Sequence, residues 1–291
     1  MYLDFFGMRE QPFGVTPDPR FLYLSPAHRE ALASLYYGIE AGRGFLSMIA
    51  RPGMGKTTLL FQLLEEFRNA AKTAFLFQTQ CDSREFIRFL LAELGIDFKE
   101  QDRVKMHEEF NQVLLREMKA GKRFVVVIDE AQNLDDSVLE TVRLLSNFET
   151  PRAKLMQIIL SGQPELADKL ARPHLSQLRQ RISIVAKLDP LSPQHVHDYI
   201  QHRLRLSGYS GPRLFLSDAE SAIIERSEGI PRTVNNLCFN ALSLAYALGK
   251  RQIDRSLIEE IFRGPRLRDD RVAACTTVHD SLQFSGFCAP A

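Results

Sequence analysis

Between Ile49 and Leu64 the sequence reads IARPGMGKTTLLFQLL, an apolar run followed by two closely spaced glycines, a lysine, two threonines and apolar residues at helical spacing. A strand that ends in such a turn and passes directly into a helix presents unpaired backbone N–H groups at a helix N-terminus, where the dipole favours anions. Gly53 and Gly55 permit backbone angles and close approach that a side chain would block, so successive N–H groups point at phosphate oxygens. Lys56 supplies a point charge for the β and γ phosphates, and Thr57 offers a hydroxyl to magnesium. Arg51, Pro52, Met54 and Thr58 complete the loop around the nucleotide. Where this motif usually opens on glycine the chain carries Ala50, at the strand end, a position where a methyl group need not meet phosphate. These residue types in this order point to a nucleoside triphosphate.

A second stretch, RFVVVIDEAQ, sets an apolar run before Asp129 and Glu130, at the carboxyl end of a strand, where open parallel sheets bind ligands. Asp129 is expected to hold the magnesium shell, and Glu130 to orient and polarise an attacking water. Phosphate cradle and carboxylate pair together imply hydrolysis. Other signals carry less. His195 and His197 diverge on a helix, and only Asp198 with His202 shares a face at four-residue spacing, so these histidines read as surface residues and not as a metal site. Cys81, Cys238, Cys275 and Cys288 lie far apart with no CxxC pair, as reduced thiols would. No serine or cysteine sits in a nucleophile elbow.

The elements that must position these groups alternate short apolar runs with longer amphipathic ones, the pattern of a parallel sheet covered by helices. Strands are expected over residues 44–50, 73–79, 123–129, 155–161 and 182–187, with helices over 57–70, 83–94, 104–121 and 136–149. After LDPLSP only helical periods follow, over 192–208, 217–229, 231–249 and 254–264, each ended by Gly or capped by Ser or Asp. The expected organisation is an arm and helix over 1–40, an α/β core over 41–188 and a small all-helical lid over 189–263. Residues 264–291 lack periodicity and are expected to be a disordered tail, with arginines at 263, 266, 268 and 271. Pro12, Pro17, Pro19 and Pro26 forbid continuous helix near the N-terminus and suggest an arm laid over the core. Its aromatics either pack it there or cup an adenine ring.

With 291 residues, 45% of them hydrophobic, the chain is long enough for one large domain and a smaller one. Thirty-seven basic against thirty-six acidic residues leave a net charge of +1, which provides no global field to recruit nucleic acid or anionic lipid. No window reaches the ~20 apolar residues of a membrane span, and the N-terminus has no cleavable apolar core, so a cytoplasmic protein is expected.

GMGKTT and VVVIDEAQNLDDSVLETVRLLSNFET, with LMQIILSGQPEL, LRQRI and GIPRTVNNLC, make this chain resemble the AAA+ ATPases of the ExeA/GspA general secretion type. The opening FFGMREQPFGVTPDPRFLYLSPAHREALASLYYGI is similar to that family's N-terminal signature, and there is likeness to ATPases of exopolysaccharide systems. The resemblance implies a P-loop NTPase fold, ATP and Mg2+ as cofactors, and self-association into an ATP-dependent oligomer. It implies Gln163 as the sensor of the γ phosphate, Arg179 or Arg181 as the arginine finger with Arg181 favoured, and Arg232 as the second sensor. The partner it implies is an inner-membrane envelope-assembly protein, which would place the ATPase peripherally at that membrane. The alternative is a DNA-associated regulator resembling transposition ATPases. The near-neutral charge and the missing winged-helix domain weigh against it.

Overall fold

The computed structural model describes residues 2–77, 80–96, 103–147, 149–150 and 153–263. In chain order the elements are α1 (Tyr2–Phe6), α2 (Pro26–Glu40), β1 (Phe45–Ala50), α3 (Lys56–Glu66), β2 (Ala71–Leu76), α4 (Ser83–Glu93) and α5 (Arg103–Lys119). There follow β3 (Arg123–Ile128), α6 (Asp136–Leu145), β4 (Glu149–Thr150), β5 (Ala153–Lys154), β6 (Gln157–Gly162), α7 (Pro164–Leu170), α8 (Ser176–Arg181) and β7 (Ile182–Leu188). The last four are helices α9 (Pro193–Leu206), α10 (Ser217–Ser227), α11 (Pro231–Ala247) and α12 (Arg255–Arg263).

Five strands form one parallel sheet in the order β2-β3-β6-β1-β7. Its central strands are buried on both faces, which is why they read as near-continuous apolar runs. Alternation still sorts their side chains. Val126, Ile128, Ile158 and Leu160 pack under α4 to α8, while Val125, Val127, Ile159, Leu46 and Met48 pack under α2 and α3. The P-loop strand β1 lies between β6 and β7, and β3 lies on the far side of β6. The carboxyl ends of β1, β3 and β6 therefore open onto one rim.

Three expectations change. The helix expected over 136–149 stops at Leu145, and Glu149–Thr150 pairs instead with Ala153–Lys154 in a short antiparallel hairpin. A tertiary contact fixes the stop: the Arg181 guanidinium donates to the Arg143 carbonyl, Ser146 Oγ and Asn147 Oδ1 at the end of α6. The arm does not lie on the α/β core alone. Phe6, Met8 and Phe13 are buried in the lid's own apolar cluster, with Phe13 edge-on to Phe215, and only from Leu22 and Leu24 does the chain pack against the sheet. The histidines of α9 are half-buried and not surface residues; His197 meets the buried Glu220 at 2.9 Å. Gln78 and Thr79 at the end of the second expected strand, and the whole of 264–291 with Cys275 and Cys288, lie outside the described residues. Cys81 and Cys238 occupy different buried clusters.

Helix α2 crosses β1 and β7 so closely that Gly38 leaves no room for a methyl group: a Cβ there would lie 2.1 Å from Leu46 Cδ2 and 2.7 Å from Ile184 Cδ1. Glycine to alanine within an exposed helix stabilises by up to ~1 kcal/mol. Here the buried leucine cannot yield, so we expect Gly38→Ala to destabilise the protein by about 1–3 kcal/mol in denaturant unfolding.

Candidate active site

Gly53 and Gly55 both take left-handed backbone conformations, with φ of 78° and 89°. At Gly53 a Cβ would also stand 2.8 Å from the Arg232 Cβ of α11, so glycine is required there by conformation and by space. Ala50, by contrast, is an ordinary ladder residue opposite Leu188, its methyl in the core and its carbonyl accepting from Lys56 Nζ at 3.1 Å. Alanine costs nothing at this position.

Lys56 opens α3 and is 5% exposed. Burial pulls its ammonium below the ordinary lysine value, while the carboxylates of Glu130 and Asp129 push back. Asp129, 3% exposed, is held on both oxygens: Thr57 Oγ1 donates to Oδ2 at 2.6 Å, and Ser161 Oγ and the Glu130 N–H donate to Oδ1 at 2.8 and 3.0 Å. The phosphate loop, β3 and β6 are thus joined through one carboxylate. Glu130 itself has φ 52° and ψ 37°, a left-handed conformation that a non-glycine residue adopts only where its surroundings enforce it. That turn lifts its carboxylate into the cleft lined by Lys56, Thr57, Gln163 and Arg232. Burial raises the carboxyl's pKa, but hydrogen bonds from Gln132 and Gln163 and the charges of Lys56 and Arg232 outweigh it and hold Glu130 below the usual value.

The other expected residues divide. Pro52, Met54 and Thr58 line the cleft, whereas Arg51 is exposed and outside its lining. Gln163 follows β6 and donates to Glu130 Oε2 at 3.0 Å. Arg232 stands at the start of α11 with its backbone N–H on the Gly53 carbonyl at 3.1 Å, which brings the lid onto the phosphate loop. Arg179 and Arg181 lie away from this cleft on α8. Arg181 is committed to α6, and Arg179 is exposed.

Several residues about the site escape sequence reasoning. Gln132 donates to Glu130 Oε2 at 2.6 Å and accepts the Gln163 N–H at 3.1 Å, bridging the two residues. Lys169 of α7 holds the same turn through the Gln132 and Leu134 carbonyls. His28, 3% exposed, lies on α2 with Nε2 3.1 Å from the Met54 carbonyl and Nδ1 2.7 Å from Ser25 Oγ. A carbonyl only accepts, so Nε2 carries a proton; burial lowers the ring's pKa below its usual 6.5, which favours the neutral ring with Nδ1 accepting from Ser25 Oγ. Gln132, the one glutamine of DEAQ, stands two residues after Glu130, and that spacing could have marked it. Nothing local to SPAHRE marks His28, because its partner is twenty-six residues away.

The fold is that of the AAA P-loop NTPases, and the AAA domain model matches residues 39–170. Within that class the chain resembles the secretion type: General secretion pathway protein A of Aeromonas hydrophila is 39% identical over 254 residues, 87% of this chain and 46% of that protein. An uncharacterized HTH-type transcriptional regulator of Methanocaldococcus jannaschii is 28% identical over 170 residues, 55% of this chain and 41% of that one. The chain spans less than half the length of the curated relatives it matches. Among solved structures, the Aeropyrum pernix ORC2 protein superposes with a TM-score of 0.66 at 16% identity, covering 88% of this chain and 72% of its own. The Thermotoga maritima RuvB branch migration motor does so at 0.57 and 16%, covering 84% and 72%. At such identities these likenesses speak to fold alone.

Replacing His28 with leucine leaves the Met54 carbonyl and Ser25 unmet, and we expect a loss of about 1–3 kcal/mol of stability above neutral pH. Burial holds the folded His28 below its ordinary 6.5, the Met54 bond only partly opposing it. The contribution is therefore full above about pH 6.5 and is lost as pH falls through the lower folded value. Denaturant unfolding of both proteins across this window should show the gap closing toward acid.

Proposed function

We propose that this protein binds and hydrolyses Mg-ATP and uses the cycle to drive conformational change in, or assembly of, a cell-envelope secretion or polysaccharide-export system. The single observation that carries the chemistry is the meeting of Lys56 and Thr57, at the start of α3, with Glu130, just after β3, in one cleft, with Asp129 bonded to Thr57 beside it. The likeness to General secretion pathway protein A supports the setting. We place the protein on the cytoplasmic side of the inner membrane; among the described residues no helix is long and apolar enough to cross one.

The amides of the loop and the start of α3 bind the phosphates, with Lys56 between them. Thr57 and Asp129 offer hard oxygens 2.6 Å apart at the mouth of the loop, a donor pair that suits Mg2+, which keeps most of its other positions for phosphate and water. When bound, the ion neutralises charge on the β and γ phosphates. Glu130, ionised at neutral pH, accepts the proton of the attacking water, and Gln163 stands where it reports the γ phosphate. Arg232 carries that report to the lid. The remaining cation comes from a second copy. Because Arg181 is spent on α6, the exposed Arg179 is the better arginine finger, which reverses the preference drawn from sequence.

Lys56→Ala should abolish measurable ATP binding, whereas Glu130→Gln should bind ATP as the wild type does and turn over about 10²–10⁴-fold more slowly. Equal ATP affinity in the wild type and Lys56→Ala would overturn the site. Arg179→Ala should lower turnover by about 10³-fold and recover part of it on mixing with Lys56→Ala, whose arginine then serves the intact cleft of its neighbour. No recovery on mixing would remove Arg179 from this role. For the cellular setting, capture on the Glu130→Gln form with Lys56→Ala as control should enrich inner-membrane secretion or export proteins. Recovery of DNA and recombination proteins instead would transfer the function to DNA.

A further inference from the structure

Arg203 of α9 is 8% exposed, and among the described residues no carboxylate forms an ion pair with it. After the hydrogen bond from Arg20, its charge helps to lower the Asp18 carboxyl without bonding to it, so the buried guanidinium is left to neutral acceptors and the destinations of its donors are informative. Nε donates to the Pro12 carbonyl, Nη2 to the Gly14 carbonyl at 3.5 Å and Nη1 to the Tyr199 hydroxyl at 2.9 Å. The ring of Phe21 lies beneath the group, 4.9 Å from centroid to Cζ. Tyr199 donates onward to Asn235 Oδ1 at 2.8 Å, and the Asn235 amide returns to the same Gly14 carbonyl at 3.2 Å. Two lid side chains, Arg203 on α9 and Asn235 on α11, joined through Tyr199, thus grip two carbonyls of the N-terminal arm.

The grip itself lies in the cleft wall, because Gly14, Tyr199, Arg203 and Asn235 line it too. Val15, Thr16, Pro17 and Asp18 follow the held carbonyls directly and line the same cleft as the phosphate loop. A triphosphate on Lys56 and Thr57 would leave the nucleoside the space between arm and lid. Helix α11 reaches both ends of that space: Asn235 holds the arm, and Arg232, three residues earlier on the same helix face, meets the phosphate loop through its N–H to Gly53.

We infer that Arg203, with Tyr199 and Asn235, positions the nucleoside half of the nucleotide by fixing the Val15–Asp18 wall of its seat and tying that wall to the helix that carries Arg232. This rests on the nucleotide reading above. Arg203 lines the cleft at its arm end and holds the arm there, so it bears on the base end of the ligand, while the phosphate loop is built on β1 and α3 without it. A residue that merely held the fold together would affect both ends alike.

The test is equilibrium binding of ATP and of inorganic tripolyphosphate, each with magnesium, to the full chain carrying Arg203→Met, Arg203→Lys or Asn235→Ala, with thermal unfolding recorded for each. We expect Arg203→Met to weaken ATP by about tenfold or more while tripolyphosphate changes less than about twofold, one lost or stretched hydrogen bond to the arm being enough for that factor. Asn235→Ala should show the same split, and Arg203→Lys, with one donor group able to reach one carbonyl, should recover part of the ATP affinity. Should Arg203→Met fail to fold, the other two variants carry the comparison. Equal loss of both ligands, or loss of neither, would overturn the inference. If the wild type binds neither ligand, the nucleotide reading itself fails, and this inference with it.

Discussion

Lys56 keeps a positive charge where water scarcely reaches, and the architecture around it makes that charge tolerable. An unpaired buried ammonium costs several kcal/mol. The expense is offset by the Ala50 carbonyl at the end of its own strand and by the field of two carboxylates from β3. Those carboxylates are held close in turn: Asp129 is tied to the phosphate loop by Thr57 and to β6 by Ser161. The parallel sheet order with β1, β6 and β3 adjacent is what brings the carboxyl ends of three distant segments within hydrogen-bond reach.

Glu130 is placed by a different device. Its left-handed backbone turns the chain out of β3 and away from the sheet, so that consecutive acidic residues face different tasks, one buried and bonded, the next facing the cleft. The conformation is kept by what surrounds it. Gln132 and Gln163 take one carboxylate oxygen, and Lys169 fastens the turn that follows. Two amide donors also stabilise the charged form, which keeps this carboxylate ionised despite its burial.

The lid is larger than its four helices. Helix α1 and the segment through Gly14 share its apolar cluster and its hydrogen bonds, so the chain crosses between lid and sheet twice, once through the arm and once through Asp189 and Pro190. The arm crossing lines the nucleotide cleft, and Leu191, one residue past the other, lines it too. The lid thus meets the cleft at the arm, at the linker and at Arg232, three points through which a change in its angle would be felt there.

Legible along the chain is whatever depends on near neighbours in sequence. The period of apolar residues laid out five strands and the helices between them, and glycines beside Lys56 and carboxylates after VVVI marked the cleft, because those motifs are local requirements of backbone conformation and charge. The tertiary structure alone decided matters of long range. Helix α6 ends where Arg181, thirty-five residues past Ser146, caps it, and that same contact separates Arg181 from Arg179. His28 beneath Met54, Lys169 behind the Glu130 turn, and Arg203 reaching back to Pro12 look in sequence like ordinary polar positions on amphipathic helices. Each acquires its task from a partner that only packing brings near, and no periodicity records which carbonyl a buried donor will meet.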